Sequence, residues 1–335
     1  MNKRTLSIVV TLITLLISFG ISSYFVINLR EPQVLYKFKL DDIPQNIVVG
    51  KKSELFFLNE NGLLNSVKII NNELTQKNIA EDVAQICAER DYIAIVDNNN
   101  RFMFINANDA SNKNFFADEI NRKGSKCIIK KITSGDNFTA VLFSDGTLYS
   151  DINYQDNDAS VEQDDYLIFS EYDIKDVSVA EYQILALDNN NAVHSYTLIP
   201  GKYNQEVTIS VSYEVNSICA GLNKSYILSK NGDVFSFDNS QVLDEHPIIP
   251  TKVENLSNIE TINVGYSDWV TLACSNDGEL YHWGLGYDHN STTKSICEIV
   301  MPKKVFESNE IAHFVGTGYG ILIIEDDGSL KILNN

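Results

Sequence analysis

The sequence is poor in cysteine and in basic residues, and it contains no complete motif set of a common enzyme. Five cysteines occur among 335 residues, without CxxC spacing, so a disulfide framework is not expected. HExxH, G-x-S-x-G and P-loop patterns are absent. We therefore predict no catalytic residue, no cofactor and no metal, although a site assembled from distant residues stays open.

Basic residues are outnumbered, with 26 Lys and Arg against 45 Asp and Glu. Residues 31–335 hold 23 basic and 45 acidic residues and no basic patch. Such a surface repels DNA and RNA, and it attracts basic molecules at low salt. The charge thus argues against a nucleic-acid partner and favours a basic one.

The amino-terminal segment, residues 1–30, contains the longest apolar run. Residues 5–29 carry no charge and follow Lys3 and Arg4. About 20 apolar residues span a bilayer, and flanking positive charge stays in the cytoplasm. This pattern predicts one transmembrane helix, a signal anchor that leaves residues 31–335 outside the cytoplasm. The alternative is a cleaved signal peptide and a secreted body.

The rest of the chain repeats one unit seven times. Each copy has an apolar stretch that ends in Gly or Ala, an apolar strand, a turn with Gly or Asn, and a second strand. The small residue and the turn residue are 11–13 positions apart, whereas successive turns are 38–50 apart. The copies lie near residues 47–67, 85–105, 131–152, 177–196, 217–237, 262–284 and 313–333.

The small residues are Gly50, Ala88, Gly135, Ala180, Gly221, Gly265 and Gly316. The turn residues are Gly62, Asn100, Gly146, Asn191, Gly232, Gly278 and Gly328. Gly and Asn tolerate the positive φ of primed two-residue hairpin turns, which are the turns that we expect here.

A period near 44 residues with this much strand predicts an all-β, seven-bladed β-propeller over residues 31–335. The seventh copy ends without an outer strand, and residues 34–40 form a strand-like segment without a hairpin. We expect this segment to complete the last blade and close the ring. Only short stretches such as residues 115–121 suggest a helical turn, and we expect a monomer.

The repeats resemble those of the regulator of chromosome condensation family. The sixth copy shows the likeness best, with Gly265, Asp277-Gly278 and the run from Leu280 to Gly286. The family's Gly-Gln-Leu-Gly tail is missing, and so is its frequent His three residues after the first Gly. The resemblance implies a seven-bladed propeller. The predicted setting is closer to that of secreted bacterial members such as β-lactamase inhibitory protein II, which bind proteins.

Aromatic residues in the segments between hairpins are the predicted anchors for a protein partner. We therefore predict a membrane-anchored, extracytoplasmic protein-interaction module. An enzyme or glycan-active propeller with a site on one ring face is the first alternative, and an exchange-factor-like regulator is the second. The candidate partner-binding residues are Phe115, Phe116, Tyr154, Tyr166, Tyr203 and Tyr287.

Two polar groups have a simpler interpretation than metal binding. The set His282, Asp288, His289 and Cys297 matches no standard zinc spacing. The acidic stretch from Asp151 to Asp165 lacks the Gly and terminal Glu of a calcium loop, so a solvated linker is expected.

Overall fold

The structure is a computed structural model of the chain, and it describes residues 33–333 with gaps. The gaps are residues 51–53, 90–91, 106–110, 153–165, 198–204, 244–246, 266–269, 288–295 and 318–319. The predicted transmembrane run, residues 5–29, lies outside the described residues. No helix within the described part is long and apolar enough to cross a membrane.

The described residues form seven antiparallel sheets, the blades of a propeller. Blade one contains β2 to β5 in chain order, and blades three to six repeat that order with four strands each. Blade two has three strands and a helix, and blade seven contains β1. The bounds of blades one to three are β2 Asn46–Val49, β3 Leu55–Leu58, β4 Leu64–Ile70, β5 Glu73–Ala80, β6 Val83–Ala88, β7 Ile93–Asp97, β8 Phe102–Ile105, α1 Ser111–Gly124, β9 Ile129–Ser134, β10 Thr139–Phe143, β11 Leu148–Ser150 and β12 Leu167–Ile168.

The remaining blades follow the same course. A short 3-10 helix, Asn239–Leu243, follows the third strand of blade five. The strands are β13 Ile174–Val179, β14 Gln183–Asp188, β15 Val193–Thr197, β16 Gln205–Ile209, β17 Val215–Cys219, β18 Lys224–Ser229, β19 Val234–Asp238, β20 Thr251–Lys252, β21 Ile259–Val264, β22 Thr271–Ser275, β23 Glu279–Tyr287, β24 Ile296–Glu307, β25 Ile311–Thr317, β26 Gly320–Glu325, β27 Ser329–Leu333 and β1 Val34–Lys39.

The ring is closed by β1, as the sequence predicted. This strand is antiparallel to β27, with Val34 opposite Leu333 and Lys39 opposite Ser329. The core continues across the junction, because Leu55 and Phe57 of blade one pack in one cluster with Leu322 and Leu330 of blade seven. Each of the other six blade pairs also shares an apolar cluster. Burial of these faces against a neighbour holds the blades together.

Blade two departs from the predicted pattern, because a 14-residue helix replaces its outer strand. The predicted helical turn over residues 115–121 is the middle of this helix. Phe116 and Ile120, four residues apart, are fully buried against the blade. The Asn121 side chain makes the two backbone hydrogen bonds that an outer strand would make. It accepts from the Phe102 N–H at 2.8 Å and donates to the Phe102 carbonyl at 2.9 Å.

The seven hairpins have one turn geometry, which differs from the expected primed turn. In blade five, Gly232 N–H donates to the Ser229 carbonyl at 3.0 Å, and Ser229 N–H donates to the Asp233 carbonyl at 2.9 Å. This is a three-residue loop with a bulge at the residue of positive φ. That residue is the predicted one in all seven copies, with φ between 65° and 80°.

The turn residue also ties each hairpin to the next blade. Gly232 accepts from the Ile259 N–H through its carbonyl, at 3.1 Å. Asn191 uses its side chain instead, accepting from Val215 N–H and donating to the Tyr213 carbonyl, both at 2.8 Å. Gly and Asn thus make equivalent hydrogen bonds to the next blade, Gly through its backbone carbonyl and Asn through its side-chain amide.

Candidate functional site

The seven small residues of the repeats meet around the ring axis. All of them line one cavity of about 210 Å³. A Cβ atom on Gly135 would lie 2.2 Å from the carbonyl oxygen of Ala180, and one on Gly316 would lie 2.7 Å from the Cβ of Val270. At Gly135 and Gly316 the neighbouring blade therefore approaches too closely for a Cβ atom.

One side of this axial cavity is acidic. The residue after the small one is Glu89 in blade two, Asp136 in blade three and Glu181 in blade four, and all three line the cavity. Apolar side chains such as Ile47 and Val264 line other parts of its wall.

A buried cluster of charged groups lies beside Glu89. The ammonium group of Lys113, on α1, is 2.6 Å from Glu89 Oε1 and 2.5 Å from Asp151 Oδ2. Thr139 donates its hydroxyl to Glu89 at 2.5 Å and its backbone N–H to Asp151 at 2.7 Å. We call Glu89, Lys113, Thr139 and Asp151 the charged joint, because it connects blades two and three.

Two aromatic rings complete the surroundings of this ammonium group. Lys113 Nζ is 5.7 Å from the ring centre of Tyr92 and 5.1 Å from that of Phe104. Both distances fall within the range of attraction between a cation and an aromatic face. The ammonium group is thus enclosed by two carboxylates and two rings.

Burial dominates the electrostatics of the charged joint. Burial, together with the nearby Asp151 carboxylate, raises the pKa of Glu89 to about 7 despite the opposing effect of Lys113. Burial lowers the pKa of Lys113, but the two carboxylates outweigh it and the pKa is raised overall. The ammonium ion is therefore retained, while Glu89 titrates near neutral pH.

Blades four and five are connected at a similar place by uncharged groups. Ser225 donates its hydroxyl to Gln183 Oε1 at 2.7 Å and lies 2.8 Å from Asn239 Oδ1. Gln183 donates in turn to Ser195 at 2.8 Å. We call Gln183, Ser225 and Asn239 the neutral joint.

A second concavity, the turn-face pocket, lies where blade seven meets blade one, at the ends of the strands that carry the turns. Its volume is about 520 Å³. Lys39 pairs with Asp327 at 3.1 Å, and hydrogen bonds from Ser329 and then Lys39 lower the pKa of Asp327 to about 2. The other four carboxylates form no ion pair with the described residues. The five acidic residues of the pocket are Asp41, Asp42, Glu60, Asp326 and Asp327.

The six predicted aromatic anchors differ in their exposure to solvent. Phe115 is 66% exposed on α1 and stays available to a partner. Phe116 and Tyr166 are buried, with ring centres 5.2 Å apart in the core between blades two and three. They are not surface anchors. Phe116 lies on the inner face of α1, and Tyr166 packs beneath Phe116. Tyr154, Tyr203 and the side chain of Tyr287 lie outside the described residues.

The expectation that Asp151 belongs to a solvated linker is wrong. Asp151 is buried in the charged joint rather than solvated. Within the described residues, no three metal-binding side chains are grouped. His282 is buried in β23, and Asp288, His289 and the Cys297 side chain lie outside the described part. Cys87 is a free thiol whose pKa burial raises to about 12, so it stays protonated.

Among known proteins, solved structures support the propeller fold. No protein-family model matches the chain, and none of the curated proteins is similar to it in sequence. Yeast RCC1 (Prp20) bound to Kap60 has a TM-score of 0.56 at 15% identity, covering 77% of this chain and 72% of that one. Human WBSCR16 has a TM-score of 0.59 at 12% identity, covering 90% and 88%. Prp20p from Saccharomyces cerevisiae has a TM-score of 0.54 at 14% identity, covering 76% and 74%. The chain is thus similar in fold to the propeller of RCC1.

Proposed function

We propose that the chain is a protein-interaction propeller that holds a basic partner at its turn-face pocket. The observation that carries this proposal is the pocket itself, where five carboxylates surround about 520 Å³ and one described lysine pairs with one of them. Uncompensated carboxylates in a concavity concentrate the field that attracts a cationic surface. The acidic composition of residues 31–335 strengthens that attraction.

The similar structures support a protein partner in general terms. One is yeast RCC1 in complex with Kap60, and another is Prp20p, described with its binding to Gsp1p and histones. At 15% and 14% identity these structures support the fold, so their partners are not transferred to this chain. A protein partner is therefore consistent with this fold.

We further propose that residues 5–29 anchor the chain in a membrane and leave the propeller outside the cytoplasm. This setting would resemble that of the secreted bacterial members of the fold, and it rests on the apolar run after Lys3 and Arg4. Protease protection in intact cells tests the orientation. Mass spectrometry of the mature amino terminus separates anchor from cleaved signal, because an anchored chain keeps residues 1–30.

Binding of a lysine-rich peptide to the full chain, in mild detergent, tests the pocket. The substitutions Asp41→Asn, Asp42→Asn, Glu60→Gln and Asp326→Asn, combined, remove four charges from it. We expect this variant to lose about tenfold or more in affinity at low salt. The matched control removes four exposed carboxylates elsewhere, at Glu73, Glu254, Glu260 and Asp277. Equal losses in both variants would mean that the pocket has no special role.

A further inference from the structure

The charged joint has the composition of a binding site for an ammonium ion. Two carboxylates lie within 2.6 Å of the Lys113 nitrogen, and two aromatic rings lie within 5.7 Å of it. The four groups come from β8, from the segment between β6 and β7, and from the residue after β11. Lys113 alone comes from the helix that replaces the outer strand of blade two. The two carboxylates and two rings therefore belong to the blades, and α1 supplies the ammonium group that they surround.

Lys113 is placed where it can withdraw without loss of the helix. It is the third residue of α1, in the first turn, where helix ends fray most easily. The buried contacts of α1 come later in the helix, from Phe116 and Ile120, and Asn121 holds the edge of β8. Opening of the first turn would withdraw the lysine, while the later contacts would keep the rest of α1 docked.

Glu89 belongs both to the charged joint and to the lining of the axial cavity. The charged joint and the axial cavity are therefore adjacent at this residue.

We propose that Glu89, Asp151, Tyr92 and Phe104 form a binding site for a primary ammonium group, which Lys113 fills from within the chain and which an external ammonium group fills when Lys113 is withdrawn. Two buried carboxylates without a cation repel each other and lose hydration, so the site strongly favours a cationic ligand. The raised pKa of Glu89 is consistent with this cost. The site is separate from the turn-face pocket, so it stands or falls independently of the proposed function.

Removal of the lysine side chain and addition of its missing part test the proposal. Lys113→Ala deletes three carbons and the ammonium nitrogen, which together correspond to n-propylammonium. We expect propylammonium chloride at pH 7.5 to raise the melting temperature of the full-length variant by about 2–4 °C, with saturation in the millimolar range. If the variant does not fold alone, the recovery of β-sheet circular dichroism during refolding with and without propylammonium gives the same answer.

Three controls separate a specific site from a general salt effect. Neutral n-propanol should give no rise in the melting temperature. Lys123→Ala, on the same helix but in an exposed pair with Asp145, should show no response to propylammonium. Glu89→Gln added to Lys113→Ala should abolish the response, because one carboxylate is then lost. An equal response in all of these variants, or no saturable response in Lys113→Ala, overturns the proposal.

A second arm identifies the natural source of the ammonium group. An N-acetylated Gly-Lys-Gly peptide replaces propylammonium, and its acetyl-lysine form is the control. Stabilisation of Lys113→Ala by the lysine peptide alone supports a site that a partner's lysine can reach. Stabilisation by propylammonium without any effect of the peptide supports a site for small free amines. Failure of both ligands overturns the site.

Discussion

The charged joint and the neutral joint solve one packing problem with two chemistries. In each, a hydroxyl at the start of the second strand, Thr139 or Ser225, donates to a side chain of the preceding blade. A residue after the third strand, Asp151 or Asn239, completes each group. In the neutral joint all groups are uncharged, whereas the charged joint requires a lysine from α1.

The difference shows what the helix contributes beyond covering a strand edge. Amides and hydroxyls satisfy one another without net charge, so blades four and five need no additional element. Two buried carboxylates need a cation, so blades two and three depend on a segment inserted between them. The seven hairpins are therefore uniform in backbone, whereas the junctions between blades differ in charge.

Among these changes, loss of the Lys113 ammonium ion should lower the free energy of unfolding most. Lys113→Met keeps most of the side-chain volume and removes the charge, which leaves two buried carboxylates without a partner. We expect the free energy of unfolding to fall by about 3–5 kcal/mol. Urea denaturation measures it, and Lys123→Met, in an exposed pair, should cost less than about 1 kcal/mol. Similar losses in both variants would contradict the importance of the charged joint.

Removal of the two equivalent hydroxyls should have unequal effects. Thr139→Val takes a donor from a carboxylate and should cost about 1.5–3 kcal/mol, whereas Ser225→Ala takes one from an amide and should cost about 0.5–1.5 kcal/mol. Chemical denaturation of both variants under one condition measures the difference. A larger loss in Ser225→Ala would show that charge does not distinguish the two joints.

The stability of the chain should depend on pH through Glu89. Its pKa is about 7 when folded against an ordinary value of 4.5, so between these values the folded chain holds a proton that the unfolded chain has released. The free energy of unfolding should therefore rise as the pH falls from 8 to 6, by about 1 kcal/mol from this group. Glu89→Gln should remove that increment, and an unchanged pH profile in this variant would refute the assignment.

Conversion of the charged joint into a neutral one should change the free energy of unfolding least. Glu89→Gln, Asp151→Asn and Lys113→Met together reproduce the amide and hydroxyl chemistry of blades four and five. We expect the triple variant to lie within about 1 kcal/mol of the parent chain, since well-packed neutral groups often replace buried ion pairs without loss. A loss as large as that of Lys113→Met alone would show that the charges, and not their balance, stabilise this junction.

The repeat pattern predicted the parts of the fold that depend on local geometry. Gly232 and Asn191 occur where the hairpins need a positive φ, and Gly135 occurs where two blades meet at the axis. Residues 34–40 could be assigned to the last blade because that copy lacked an outer strand. These requirements are local or repeat seven times, so one sequence is enough to detect them.

The charged joint could not be predicted in the same way. Its contacting members are separated by 12 to 50 positions, and each of them occurs once rather than in every copy. Phe115 and Phe116 are adjacent, and only the orientation of α1 decides that the first is exposed and the second buried. Contacts of this kind arise from packing between blades, which the hydrophobic pattern of one strand does not encode.

The pairing of β1 with β27 also bears on how the chain can be engineered. Val34 faces Leu333 across the pair, so a short linker from residue 333 to residue 34 would make the propeller a continuous circle. A circular permutant could then open at the exposed hairpin of Asn71 and Asn72 in blade one, where the cut would spare every blade junction. Such a permutant would carry the propeller without its apolar amino-terminal run.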